Sequence, residues 1–150
     1  MSPKVKEIVI QHNLDYRESR GLLDFALDLG ADRFTITVLD AAATHPIAVS
    51  ALRTFLSKID QYKIGGRPFE TGPQQGKTTF WSYNTGTRDL ILERWDNNLL
   101  AHFADTEDLC IFNGERPIIE ISSCGDVAFM KLLDDEYDRF HKLRIDHFIP

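Results

Sequence analysis

Two cysteines, two methionines and no long apolar run leave few landmarks in this chain of 150 residues. Thirteen residues separate Cys110 from Cys124, and each sits among strand-type residues. That setting suits buried thiols better than a disulfide framework, although a bridge between neighbouring strands stays geometrically open. No apolar stretch approaches the roughly 20 residues that cross a bilayer, so no membrane partner is expected. Glu7 and Gln11 interrupt the apolar region that a secretory leader would need after Lys4 and Lys6, and a cytoplasmic location is the expectation. Basic charge is also short: 17 Lys and Arg against 23 Asp and Glu give a net charge of -6. A sequence-independent grip on nucleic-acid phosphates needs clustered cations, so nucleic acid is not an expected partner. The five histidines include no pair at the four-residue spacing of a zinc-binding helix, and neither metal nor another cofactor is expected.

What the chain does contain is hydrophobic residues at 43% and charged residues at 27%, the balance of an ordinary globular domain, and its length fits one such domain over residues 1–150. Residues 6–11 read as a short first strand. Asp15 followed by Glu18 is an acidic capping box, and Gly30 supplies a left-handed stop. Between them Leu22, Leu23, Phe25, Ala26 and Leu29 form one apolar face of a first helix. Residues 33–39 alternate Phe34, Ile36 and Val38 against Thr35 and Thr37, the period of a half-buried strand. Pro46 marks the first turn of a second helix whose stripe includes Leu52, Phe55, Leu56 and Ile59, with Gly65-Gly66 as its stop.

Residues 67–77 are rich in Gly, Pro and Gln and read as an exposed loop. Within them Gly72-Pro73-Gln74-Gln75-Gly76-Lys77-Thr78 resembles a phosphate-binding loop but is one residue short of it. That motif also requires a helix immediately afterwards, where this chain has strand-type residues, so nucleotide binding is not expected. From Thr78 onward short apolar runs are broken by turn residues, Asn113-Gly114 among them, which predicts a meander. Candidate strands cover 78–84, 88–95, 99–104, 109–112, 117–122 and 126–132, followed by a helix over 134–148. The expected fold is α+β, an antiparallel sheet packed on one face by two helices of the N-terminal half and a C-terminal helix. Residues 33–39 should join that sheet, with parallel pairing to the first strand through a right-handed crossover as one option.

Charge is unevenly distributed, since residues 101–150 carry 5 basic and 11 acidic groups. Asp105, Glu107 and Asp108 fall in one expected loop, and Asp134, Asp135, Glu136 and Asp138 at a helix start, where they complement the N-terminal dipole. A shared negative surface would steer association with a basic protein. Trp81 and Tyr83 share one face of their strand, with Phe80 on the other, and they complete the candidate partner-binding set, because such aromatics concentrate binding energy at interfaces. The function that follows is a non-enzymatic protein-binding module of the immunity- or antitoxin-like class, presenting an acidic and aromatic surface to a basic partner. An uncovered sheet face or strand edge also leaves a homodimer open.

The alternative is a small enzyme or ligand-binding domain with its pocket between sheet and helices. Cys124 lies between small residues in a turn, where a thiolate is approachable, and His102 could serve as its base. No family-specific pattern surrounds Cys124, and a tight turn at Gly125 explains the same residues. The carboxylate pairs Asp89 with Glu93 and Glu115 with Glu120 are better explained by ion pairing on a sheet face than by acid-base hydrolysis, because nothing places them in a cleft.

Overall fold

A computed structural model describes residues 4–38, 46–71, 74–100, 106–122 and 127–150. The chain order is β1 (Val5–Ile10), α1 (Tyr16–Asp28), β2 (Arg33–Val38), α2 (Pro46–Ile59), β3 (Lys63–Thr71), β4 (Gln74–Ser82), α3 (Thr85–Arg94), β5 (Thr106–Asn113), β6 (Arg116–Ser122), β7 (Val127–Leu133) and α4 (Asp134–His141). Among the described residues the strands form one antiparallel seven-stranded sheet in the order β1-β7-β6-β5-β2-β4-β3, and with four helices this is the expected α+β fold.

Local chemistry explains the first helix. Glu18 donates its backbone N–H to Asp15 Oδ1 at 2.8 Å, and Asp15 donates its own to Glu18 Oε1 at 3.2 Å, so two orphan donors of the first turn are satisfied reciprocally. At the other end Gly30 adopts a φ of 85°, and the amides of Gly30 and Ala31 reach back to Leu27 and Ala26 as a Schellman cap requires. The helix buries Leu22, Leu23, Phe25 and Ala26. α2 begins at Pro46 as expected but ends at Ile59, followed by a single 3-10 turn over Asp60–Tyr62.

Three sequence expectations are corrected, and one open option, the pairing of the first strand, is decided. Residues 88–95 form no strand: they belong to α3, which starts where Asn84 and Thr87 exchange backbone-to-side-chain hydrogen bonds of 3.0 and 2.9 Å. Thr87, Ile91 and Trp95, spaced by four, are its buried stripe. Asp96 at φ 52° then closes the helix, with the amides of Asp96 and Asn97 returned to Glu93 and Leu92. Second, the expected loop over 67–77 lies largely in the β3–β4 hairpin, and Gly65-Gly66 sits inside β3 rather than at a helix end. As for the open option, β1 does not pair with β2; it lies at the sheet edge, antiparallel to β7. Third, α4 stops at His141, Arg144 turns the chain at φ 56°, and Phe148 pairs its backbone with Val9 instead of continuing a helix. Of the expected strand over 99–104, Leu99 and Leu100 form a buried turn and the remainder lies outside the described residues.

Alternation decides which side of the sheet the helices cover. On β7 Ala128, Met130 and Leu132 are buried while Phe129 and Lys131 are exposed. The inward residues join Ile8, Ile10, Phe34, Trp81, Ile111 and the helix faces in one hydrophobic cluster. A bulge in the β5–β6 register sets Ile111 against Ile119 and Phe112 against Pro117, so that Ile118 and Ile119 both turn inward. The opposite face carries Glu7, Phe129, Lys131, Glu120, Cys110, Phe112, Arg33 and Phe80, placed there by strand register. This is the outer face.

Candidate functional site

On the outer face, at the junction of β2, β3, β4 and β5, an open hollow of about 300 Å³ is lined by Arg33, Ile64, Gly65, Phe80, Phe112, Gly114 and Glu115. Register brings its parts together. Arg33 on β2 stands opposite Phe112 on one side and Ser82 on the other, and Phe80, two residues from Ser82 on β4, therefore projects to the same side. The Phe80 and Phe112 rings meet edge to face with centroids 6.1 Å apart, and the Arg33 guanidinium lies 5.9 Å from the Phe80 ring. A bulge between Lys63 and Gly65, where φ reaches 141°, leaves Ile64 half exposed at the rim.

Asp32 organises that rim. Its backbone N–H donates to the Phe112 carbonyl and its carbonyl accepts from Tyr83, both at 2.9 Å, which ties the start of β2 to β5 and to the end of β4. Its carboxylate accepts from Arg33 Nε and Nη2 at 3.3 and 3.2 Å and from the Gly114 amide at 2.9 Å. The Arg33 guanidinium, followed by the Gly114 amide, holds the Asp32 carboxyl below its ordinary range, and Asp32 in turn raises Arg33. Gly114 adopts φ 59° at the first position of the two-residue β5–β6 turn, a conformation that favours glycine, and Asn113 beside it donates to the Leu29 carbonyl at the end of α1. The hollow thus has two aromatic walls, an arginine held in place by its neighbour, and a carboxylate at its edge. Among the described residues its lining holds no cysteine, histidine or hydroxyl nucleophile.

The sequence-derived candidates fall elsewhere. Trp81 and Tyr83 point inward, 8% and 4% exposed, so the expected aromatic surface is corrected: Trp81 stacks on Phe34 at 5.6 Å, and Tyr83 donates its hydroxyl to the Leu23 carbonyl at 2.6 Å. Burial pushes the Tyr83 hydroxyl far above its ordinary pKa. Their strand parity was correctly read, and Phe80, on the opposite parity, is the aromatic that reaches the outer face. Glu107 and Asp108 lie on β5 rather than in a loop, with their side chains outside the described residues, as are Asp105, His102 and Cys124 altogether. Asp134, Asp135 and Glu136 are where they were expected, in the first turn of α4, and Asp138 follows within the same helix. Asp89 and Glu93 lie exposed on α3, paired with Arg88 at 3.0 Å and Lys58 at 2.9 Å; Glu115 and Glu120 belong to the β5–β6 turn and to β6. Among the described residues no group of three or more His, Cys, Asp or Glu could hold a metal ion, and no helix is long and apolar enough to cross a membrane.

Arg33, Phe80 and Phe112 were missed as a set because they come from three separated strands. The available signal was parity: each occupies the position alternate to a strongly apolar inward residue, namely Phe34, Trp81 and Ile111. No known protein family, no curated protein and no solved structure matches this chain.

Proposed function

We propose that this chain is a non-enzymatic binding module that receives another protein on the sheet face its helices leave uncovered, at the hollow walled by Phe80 and Phe112. The observation that carries this reading is the placement of two aromatic rings and a fixed arginine on the outer face. An aromatic wall supplies the desolvated contact area that dominates interface energetics, and a rigid side chain loses little entropy on binding. Sheet strands hold these rings before any partner arrives.

Charge refines the reading. Asp32 neutralises Arg33 within the rim, and the chain as a whole carries -6. A partner segment bearing an apolar side chain beside a lysine or arginine complements that arrangement, in keeping with immunity- or antitoxin-like inhibitors that meet a basic protein. The test is affinity retention from an extract of the source organism, using immobilised wild type, Phe112→Glu and, as a surface control, Lys142→Glu. A protein kept by wild type and control, lost with Phe112→Glu and eluted by raised salt is the expected result. Identical retained sets for all three baits would refute the reading.

A further inference from the structure

A second aromatic row crosses the outer face at the other end of the sheet. Phe129 on β7 stands opposite Val9 on β1 and Glu120 on β6, and Val9 is bridged to Phe148 on its far side. Directly opposed residues share a face, so the row reads Phe148, Val9, Phe129, Glu120. Val9 is covered, whereas Phe129 is 42% and Phe148 46% exposed. Two residues from Phe129 along β7, on the same side, Lys131 is exposed, and two residues the other way lies half-buried Val127. Neither Glu120 nor Lys131 has an ion-pair partner among the described residues.

We propose that a second copy of this chain docks on this row, face to face, about a two-fold axis that passes over Phe129. Sheets packed face to face are commonly aligned or orthogonal. In the orthogonal arrangement the axis runs diagonally across the sheet and exchanges the along-strand direction of one copy for the across-strand direction of the other. The step from Phe129 to Lys131 is about 6.6 Å along the strand, and the step from Phe129 to Glu120 is about 4.8 Å across it. The two steps differ by less than a lysine side chain can span. One sense of the diagonal therefore sets Lys131 of each copy over Glu120 of the other, and Val127 of each beside Val9 of the other, with the two Phe129 rings meeting at the axis. This self-complementarity is what an isologous two-fold interface requires: residue i meets j, and j meets i. Lys131, which faces Glu7 across the β1–β7 pair, and Glu120 have no ion-pair partner among the described residues, and in this arrangement each meets the other's counterpart between chains. The inference does not rest on the hollow near Phe80.

Sedimentation equilibrium tests it, with circular dichroism melts confirming that each surface variant is folded. Wild type is expected to be dimeric at about 100 µM, and Phe129→Glu to raise the dimer dissociation constant about tenfold or more. Glu120→Lys and Lys131→Glu should each weaken self-association, because each sets like charges together. Mixing these two single variants should restore it, since both contacts of the mixed dimer then join opposite charges. A monomeric wild type at that concentration, a dimer indifferent to Phe129→Glu, or a mixture no stronger than its components would each overturn the proposal.

Discussion

Glu136→Gln removes one charge and almost no volume from the junction between α4 and the sheet. The Glu136 side chain is 10% exposed and accepts from Arg116 Nη1 at 2.9 Å, Arg116 Nη2 at 2.6 Å and the Leu133 amide at 2.8 Å. The last of these caps the first turn of α4, and Arg116 also donates to the Lys131 carbonyl at 3.1 Å, so one carboxylate joins the start of β6, the end of β7 and the helix. In the glutamine variant one oxygen still accepts, but the amide NH₂ faces a guanidinium, donor against donor. Losing a charge-assisted hydrogen bond costs about 1.5–3 kcal/mol. The larger penalty of about 3–5 kcal/mol for orphaning a fully buried charge does not apply in full, because Arg116 is 39% exposed and can be rehydrated.

We therefore expect a loss of about 2 kcal/mol at pH 7, seen as a fall in melting temperature of about 4–8 °C for a chain of this size. The pH dependence follows with a definite sign. Arg116 holds the Glu136 carboxyl below its ordinary value of 4.5. The unfolded chain therefore binds the proton more readily than the folded one, so the stabilisation is complete above about pH 4.5 and is lost as pH falls towards the depressed folded value. Urea titrations of wild type and Glu136→Gln at neutral and acid pH measure this. A difference below about 0.5 kcal/mol at pH 7, within the range of ordinary surface substitutions, would refute the reasoning, as would a gap that stays constant into acid.

Tyr83→Phe removes a hydroxyl that donates to the Leu23 carbonyl inside the core and should lower stability by about 1 kcal/mol in denaturant titration. In the wild type, ultraviolet titration should show that phenol staying protonated until the fold is lost, since burial opposes its ionisation. Asn84→Ala deletes the N-cap of α3 and should destabilise by about 1 kcal/mol, whereas Asn84→Asp should retain most of the stability. Equal loss in both variants would mean that the cap is not what holds the helix start.

The missed helix shows where sequence patterning ran out. Leu90, Ile91 and Leu92 are three apolar residues in succession, which satisfies a buried strand as readily as a helix, and only the Asn84–Thr87 box and the Thr87, Ile91, Trp95 spacing separate the two. Asn84-Thr85-Gly86 reads as turn punctuation as readily as a helix start, because the side chain that favours turns also caps helices. The β3–β4 hairpin was missed for the opposite reason: its Gly, Pro and Gln residues have weak strand preference, and antiparallel pairing with a neighbour overrides it.

By itself the amino-acid order determined the α+β class, the capping box and glycine stop of α1, the strand character of β2, β6 and β7, and the parity that sets Phe80 apart from Trp81 and Tyr83. Those features depend on residues within a few positions of one another, where hydrogen bonding and side-chain alternation act directly. Tertiary structure alone decided which parity faces the helices, and hence that Trp81 and Tyr83 stabilise the core while Phe80, Phe112 and Arg33 meet on the open face. It also decided that β1 lies beside β7 and so brings Val9 against Phe129 and Phe148. Inside and outside are properties of what packs on a sheet, and strands distant in sequence become neighbours only when the whole sheet closes its hydrogen bonds.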